Sequence, residues 1–152
     1  MRQGIQTGFK HDDLRRFGCY FFTLCELAER LRAKTRLPPF SDEDIIDHYD
    51  QCIKNQWITT GIRDFNGKKV KVICFIENPV KIMNYLQNNT FFKNITHEKN
   101  QPNAEFYPVY FIGNPDHFAL GSNGEIVWDS WSPSATERGM SMAETNPFRW
   151  LR

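Results

Sequence analysis

The chain has no apolar stretch approaching the roughly 18 residues that a bilayer-spanning helix needs. Met1-Arg2 leads into polar residues rather than the apolar core of a secretory leader. These two absences predict a cytoplasmic protein with no membrane partner. Charge excess is also missing: 19 Lys and Arg stand against 18 Asp and Glu, for a net charge of +1. No field of one sign points to nucleic acid or acidic lipid. The four cysteines, Cys19, Cys25, Cys52 and Cys74, form no C-x-x-C pair, and no Cys/His group has zinc-finger spacing. Neither a metal nor an organic cofactor is therefore expected, and the thiols should be free. Repeats and low-complexity tracts are absent too.

What is present is material for a core. Hydrophobic residues make up 40% and aromatics 14%, led by 13 Phe. With 152 residues, one domain covering 1–152 is expected. Residues 1–17 read as an irregular polar segment. A helix is predicted from Cys19 to about Lys34, burying Phe21, Leu24, Leu27, Ala28 and Leu31, with Glu26, Glu29, Arg30 and Arg32 outside. Gly18 allows the chain to turn into it. Ser41 caps a second helix that runs to about Asn55 and buries Ile45, Ile46, Tyr49, Cys52 and Ile53. Extended pieces are expected at Trp57–Ile62 and Lys69–Ile76. Asn78-Pro79 then opens a third helix. Further strands are expected near residues 90–96 and at Phe106–Ile112, with a loop from Lys99 to Asn103 and a turn at Gly113-Asn114-Pro115-Asp116. Helices followed by mainly antiparallel strands predict an α+β fold.

The segment from His117 to Asp129 reads as a β-hairpin. A three-residue loop, Ser122-Asn123-Gly124, with Gly124 left-handed, pairs Phe118 with Trp128 and Leu120 with Ile126 on one apolar face. The other face then pairs Ala119 with Val127 and His117 with Asp129, whose Cβ atoms would lie roughly 4.5–5.5 Å apart. A two-residue Asn123-Gly124 loop shifts the register by one and sends Asp129 to the opposite face. A polar pair at the sheet end is the purely structural alternative.

Cys19 begins an apolar helix, where the dipole favours a thiolate. Cys, His and Asp together supply a nucleophile, a base and a group that orients the base. Cys25 points elsewhere around the helix and, like Cys52 and Cys74, is expected in the core. His11, Asp12 and Asp13 lack a partner at metal-ligand spacing and read as a capping or loop segment. His48, between Asp47 and Asp50, is placed on a polar helix face. Trp57, Trp128, Trp131 and Trp150 could form a carbohydrate platform, but Trp128 belongs to the hairpin core, and Trp131 is placed either as a cleft wall or as a dock for the C-terminal tail. Asn88-Asn89-Thr90 and Asn94-Ile95-Thr96 match glycosylation sequons, which mean little without secretion.

Gly18-Cys19-Tyr20-Phe21-Phe22 resembles the nucleophile motif of papain-like cysteine peptidases, closest to the bacteriocin-leader-processing branch. His117-Phe118-Ala119-Leu120 and Val127-Trp128-Asp129-Ser130-Trp131 resemble that branch's histidine strand and its Asp-Pro-Trp segment. The resemblance implies a papain-like fold, with N-terminal helices packed on an antiparallel sheet. It implies a thiol hydrolase that cleaves a peptide or other amide through Cys19, His117 and Asp129. Two departures stand out. Asp13 occupies the position of the branch's oxyanion-hole Gln, which leaves Gln6 and the Cys19 backbone N–H as candidate donors. Ser130 replaces the Pro. The rival readings are a catalytically inactive papain-like binding protein and an amidase acting on peptidoglycan or a small molecule. Neither substrate nor oligomeric state follows from the sequence.

Overall fold

The computed structural model describes residues 1–34, 36–88, 92–93, 95–96, 107–112, 117–122, 125–138 and 148–151. The expected loop at 99–103, the turns at 113–116 and 123–124, Asn94 and the side chain of Trp150 lie outside the described residues.

The N-terminal segment is more ordered than its composition suggests. It contains helix α1, Asp12–Phe17. His11 caps this helix, its Nδ1 accepting the Leu14 N–H at 3.3 Å. Asp12 and Asp13 occupy the first turn and Arg15 and Arg16 the last, each favourable to the helix dipole. The His11-Asp12-Asp13 run is thus a helix start. Among the described residues, no group of three or more His, Cys, Asp or Glu could hold a metal ion.

Helix α2 is Cys19–Ala33. Gly18 ends α1 and begins α2 with an ordinary backbone, φ −86°. Its smallness matters because a Cβ there would lie 2.5 Å from the Leu14 carbonyl oxygen. Phe21, Phe22, Leu24, Cys25 and Ala28 are fully buried. Glu26 and Glu29, expected on the outer face, are buried as well. The Met1 ammonium bonds both carboxylates, at 2.7 and 2.6 Å, and so offsets the cost of taking them out of water.

Helix α3, Asp42–Lys54, starts in a full capping box between Ser41 and Asp44. Ile45, Tyr49 and Cys52 are buried, and Ile46 and Ile53 lie at the core margin. His48 is half-buried, edge-on to Phe40 and Tyr85, with Nδ1 3.0 Å from the Tyr85 hydroxyl, so it does not sit on a polar face. Strands β1, Ile58–Phe65, and β2, Lys68–Ile76, form an antiparallel hairpin. Its pairing shifts near Cys74, which adopts φ +55° and buries its thiol against the Tyr49 hydroxyl at 3.1 Å. Helix α4, Pro79–Gln87, is capped by Asn78.

The second sheet contains β3, Ile95–Thr96; β4, Tyr107–Ile112; β5, His117–Ser122; β6, Glu125–Trp128; and β7, Phe148–Leu151. The strand order is β3-β7-β4-β5-β6, with every described pairing antiparallel. The described chain is therefore a mixed α/β structure of four helices and two small antiparallel sheets. α2 packs across β5, with Tyr20 stacked on Phe118 at a centroid distance of 4.0 Å. Strand β7 has no clear signature in the sequence.

Candidate active site

The hairpin register differs from the expected one. Ser122 pairs with Glu125, Gly121 with Ile126 and Leu120 with Trp128. The first two pairs follow the two-residue-loop register, and a bulge then inserts one extra residue, Val127, which faces solvent. Phe118 therefore packs on Tyr20 rather than Trp128. Ile126 joins Ala119, Ala135 and Trp131 instead of Leu120. A two-residue loop alone would turn Asp129 away from His117, and the bulge reverses that outcome. His117 Nε2 lies 2.7 Å from Asp129 Oδ1, with both side chains buried.

The Asp129 carboxylate is held from three sides. Oδ1 also accepts the Trp131 N–H at 2.9 Å, and Oδ2 accepts the Ala135 N–H at 2.8 Å. Burial pushes this carboxyl up, but the His117 bond and the two backbone donors outweigh it and leave the carboxyl below its ordinary range. Trp131 covers the pair, stacking on His117 at 3.6 Å, with the Arg138 guanidinium 4.7 Å from the Trp131 ring centre. Trp131 is thus a wall over the imidazole. His117 Nδ1 is the only buried side-chain nitrogen or oxygen among the described residues with no hydrogen-bond partner.

Cys19 opens α2, and no hydrogen bond joins its thiol to His117 Nδ1. The pairing of β5 with β6 stops at Leu120 and Trp128, and α2 meets β5 at Phe118 through Tyr20 and Thr23. The Thr23 hydroxyl lies 2.8 Å from the Cys19 carbonyl and 3.1 Å from the Phe118 carbonyl. The first turn of α2 is thereby set beside β5 at Phe118, one residue from His117. The thiolate expected from the helix dipole is not favoured. Burial pushes the thiol up to about 11, against the N–H groups of Phe118, Tyr20 and Cys19 itself, and the Asp129 charge adds to the rise. The three other cysteines are buried, and all four are free.

Gln6 is buried, and its amide is occupied at both ends. Nε2 donates to the Arg15 carbonyl at 3.1 Å, and Oε1 accepts the Ser130 hydroxyl at 2.6 Å. Arg15 lies in the last turn of α1, just ahead of Gly18-Cys19. An amide nitrogen carries two protons, and this bond uses one. Asp13 sits in the first turn of α1, where its carbonyl faces the Cys74 thiol at 3.5 Å.

Sequence reasoning missed Gln3, Gly4 and Thr23. Gln3 Oε1 accepts the Asp129 N–H at 2.9 Å, and the Gly4 N–H donates to the Asp129 carbonyl at 3.0 Å. The only signal available was glycine within a polar segment, which is also what a loose tail looks like. A cavity of about 490 Å³ adjoins Asp129 and Trp131 on the side of Gln3, Ile126 and Glu137, and it does not reach Cys19. No protein-family model matches the chain, and comparison with curated proteins and with solved structures found no match. No helix among the described residues is long and apolar enough to cross a membrane.

Proposed function

We propose that this chain is a papain-like thiol hydrolase that cleaves a peptide or another amide. The observation that carries the reading is the buried His117–Asp129 bond on a strand that α2, opened by Cys19, crosses at Phe118, the residue next to His117. Asp129 accepts the Nε2 proton and so keeps Nδ1 as the free, basic nitrogen. Because Cys19 holds its proton at neutral pH, attack and deprotonation go together. Sγ bonds to the amide carbon while its proton moves to Nδ1. Collapse of the tetrahedral intermediate breaks the C–N bond, and the imidazolium gives that proton to the leaving amine. Water, activated by Nδ1, then hydrolyses the thioester and restores the thiol. The Cys19 backbone N–H and the second Nε2 proton of Gln6 are the donors assigned to the oxyanion.

A second reading is favoured by the raised Cys19 thiol and by a fully buried His117 under Trp131. In it, the papain-like shell binds a partner and performs no chemistry. The two readings separate in the rate of Cys19 alkylation by iodoacetamide, followed by peptide mass spectrometry. A catalytic site predicts wild-type labelling at neutral pH roughly tenfold or more above that of His117→Ala. Equal rates in the two proteins would leave the non-catalytic reading standing.

A further inference from the structure

We infer that residues 1–9 form a strap that positions the Asp129 loop against the helix bearing Cys19, with Gln3 and Gly4 as positioning residues. The inference rests on the reading of Cys19 and His117 as the reacting groups. β6 ends at Trp128, so the Asp129 peptide has no strand neighbour to satisfy it. The strap takes that place. Gln3 Oε1 accepts the Asp129 N–H, and the Gly4 N–H donates to the Asp129 carbonyl. Further along, the Gln6 N–H donates to the Ser130 carbonyl at 2.9 Å, and the Ser132 N–H donates to the Thr7 hydroxyl at 3.0 Å. Both backbone polar groups of Asp129 are thereby fixed, which leaves its carboxylate free to face His117.

The other side of the strap is anchored on α2. The Met1 ammonium bonds Glu26 and Glu29, and the Phe9 ring meets Phe22 edge-on at 5.0 Å. Trp128 Nε1 donates to the Met1 carbonyl at 3.1 Å and ties the β6 end to the same segment. One short segment thus links the helix that carries the thiol to the loop that carries the carboxylate.

Gly4 decides whether the strap can close. Its φ is +73°, and a Cβ there would lie 2.6 Å from the Ser132 Cβ, an atom close to the backbone that cannot swing aside. Gly4→Ala must therefore push the strap off the Asp129–Ser132 loop. Ser132→Gly removes the atom that is struck, so Gly4→Ala/Ser132→Gly should recover part of the loss.

Two readouts test the role, each taken on protein shown to be folded by circular dichroism. The first is the His117-dependent rate of Cys19 alkylation across about pH 5–9. The second is the nitrogen-15 chemical shifts of the His117 ring, which report its tautomer whether or not the protein is an enzyme. Gly4→Ala should slow alkylation roughly tenfold or more and move the His117 shifts toward a mixture of tautomers. The double variant should return partway. Gln3→Ala should act in the same direction, and Gln3→Glu, which keeps the acceptor for the Asp129 N–H but loses the Nε2 donation to the Val127 carbonyl, should fall between Gln3→Ala and wild type. A folded Gly4→Ala or Gln3→Ala protein with wild-type ring shifts overturns the inference. If Gly4→Ala does not fold, Gln3→Ala decides. If wild-type alkylation ignores His117 while the ring shifts still respond to the strap, the catalytic reading has failed and the positioning role stands.

Discussion

Asp129 carries much of the site because three donors converge on one buried carboxylate. Its pKa direction sets a pH dependence. A carboxyl held below its unfolded value of about 3.9 adds stability that is complete above that pH and is lost as pH falls through the lower folded value. The melting temperature of the wild type should therefore exceed that of Asp129→Asn at neutral pH, with the gap closing below about pH 4. A gap of constant size down to strongly acid pH would mean that the charge contributes nothing. Cys19 shows the opposite balance. A helix start favours the thiolate by a fraction of a kcal/mol up to about 2 kcal/mol, and removal from water overrides it here. The meeting of His117 with Asp129 was legible in the sequence, because the two stand on the arms of one short hairpin. The protonation state of the thiol was not, since removal from water depends on how the chain packs around α2 and not on the local helix start.

At the scale of elements, the helices behaved as local chemistry requires. Ser41 and Asn78 cap where their side chains reach the first free N–H groups. Ser41→Ala should cost about 1 kcal/mol, read as a lower urea midpoint with an unchanged slope. The hairpin was harder. His117 and Asp129 do meet, but through the bulge at Val127 rather than by direct cross-strand pairing. The hydrophobic pairs and Gly124 favoured the three-residue loop, whereas the pairing next to the turn is that of the two-residue loop. The bulge reconciles them, with the two-residue register near the turn and Asp129 on the His117 face at the far end. Deleting Val127 should restore strict alternation and turn Asp129 to the other face. The His117 ring nitrogens would then lose the shift signature of a carboxylate partner, whereas Val127→Thr should keep it. Retention of that signature in the deletion would show that the bulge is not what sets the pair.

At the scale of the whole molecule, the N-terminal segment has the largest unexpected role. Glu26 and Glu29 look like surface residues on a helical wheel, yet they are buried because an ammonium group from the chain start meets them. Glu29 also accepts the Phe40 N–H, and Glu26 accepts from Arg30. Replacing both with Gln should destabilise the fold by about 3 kcal/mol in urea unfolding, because the ammonium stays in place without a counter-charge. A loss under about 0.5 kcal/mol would place the pair among ordinary surface ion pairs. The same change should loosen the strap and slow Cys19 alkylation.

The sequence by itself determined the helix starts and stops, the apolar stripes of α2 and α3, and the two residues of the His117–Asp129 pair. These are short-range matters of capping groups and of side chains a turn apart. Tertiary structure decided the hairpin register beyond its turn, the burial of Glu26 and Glu29, the engagement of Gln6, the raised thiol of Cys19 and the grip of the strap on Asp129. Each depends on which distant groups exclude water or donate a hydrogen bond at that spot, and no local pattern encodes that.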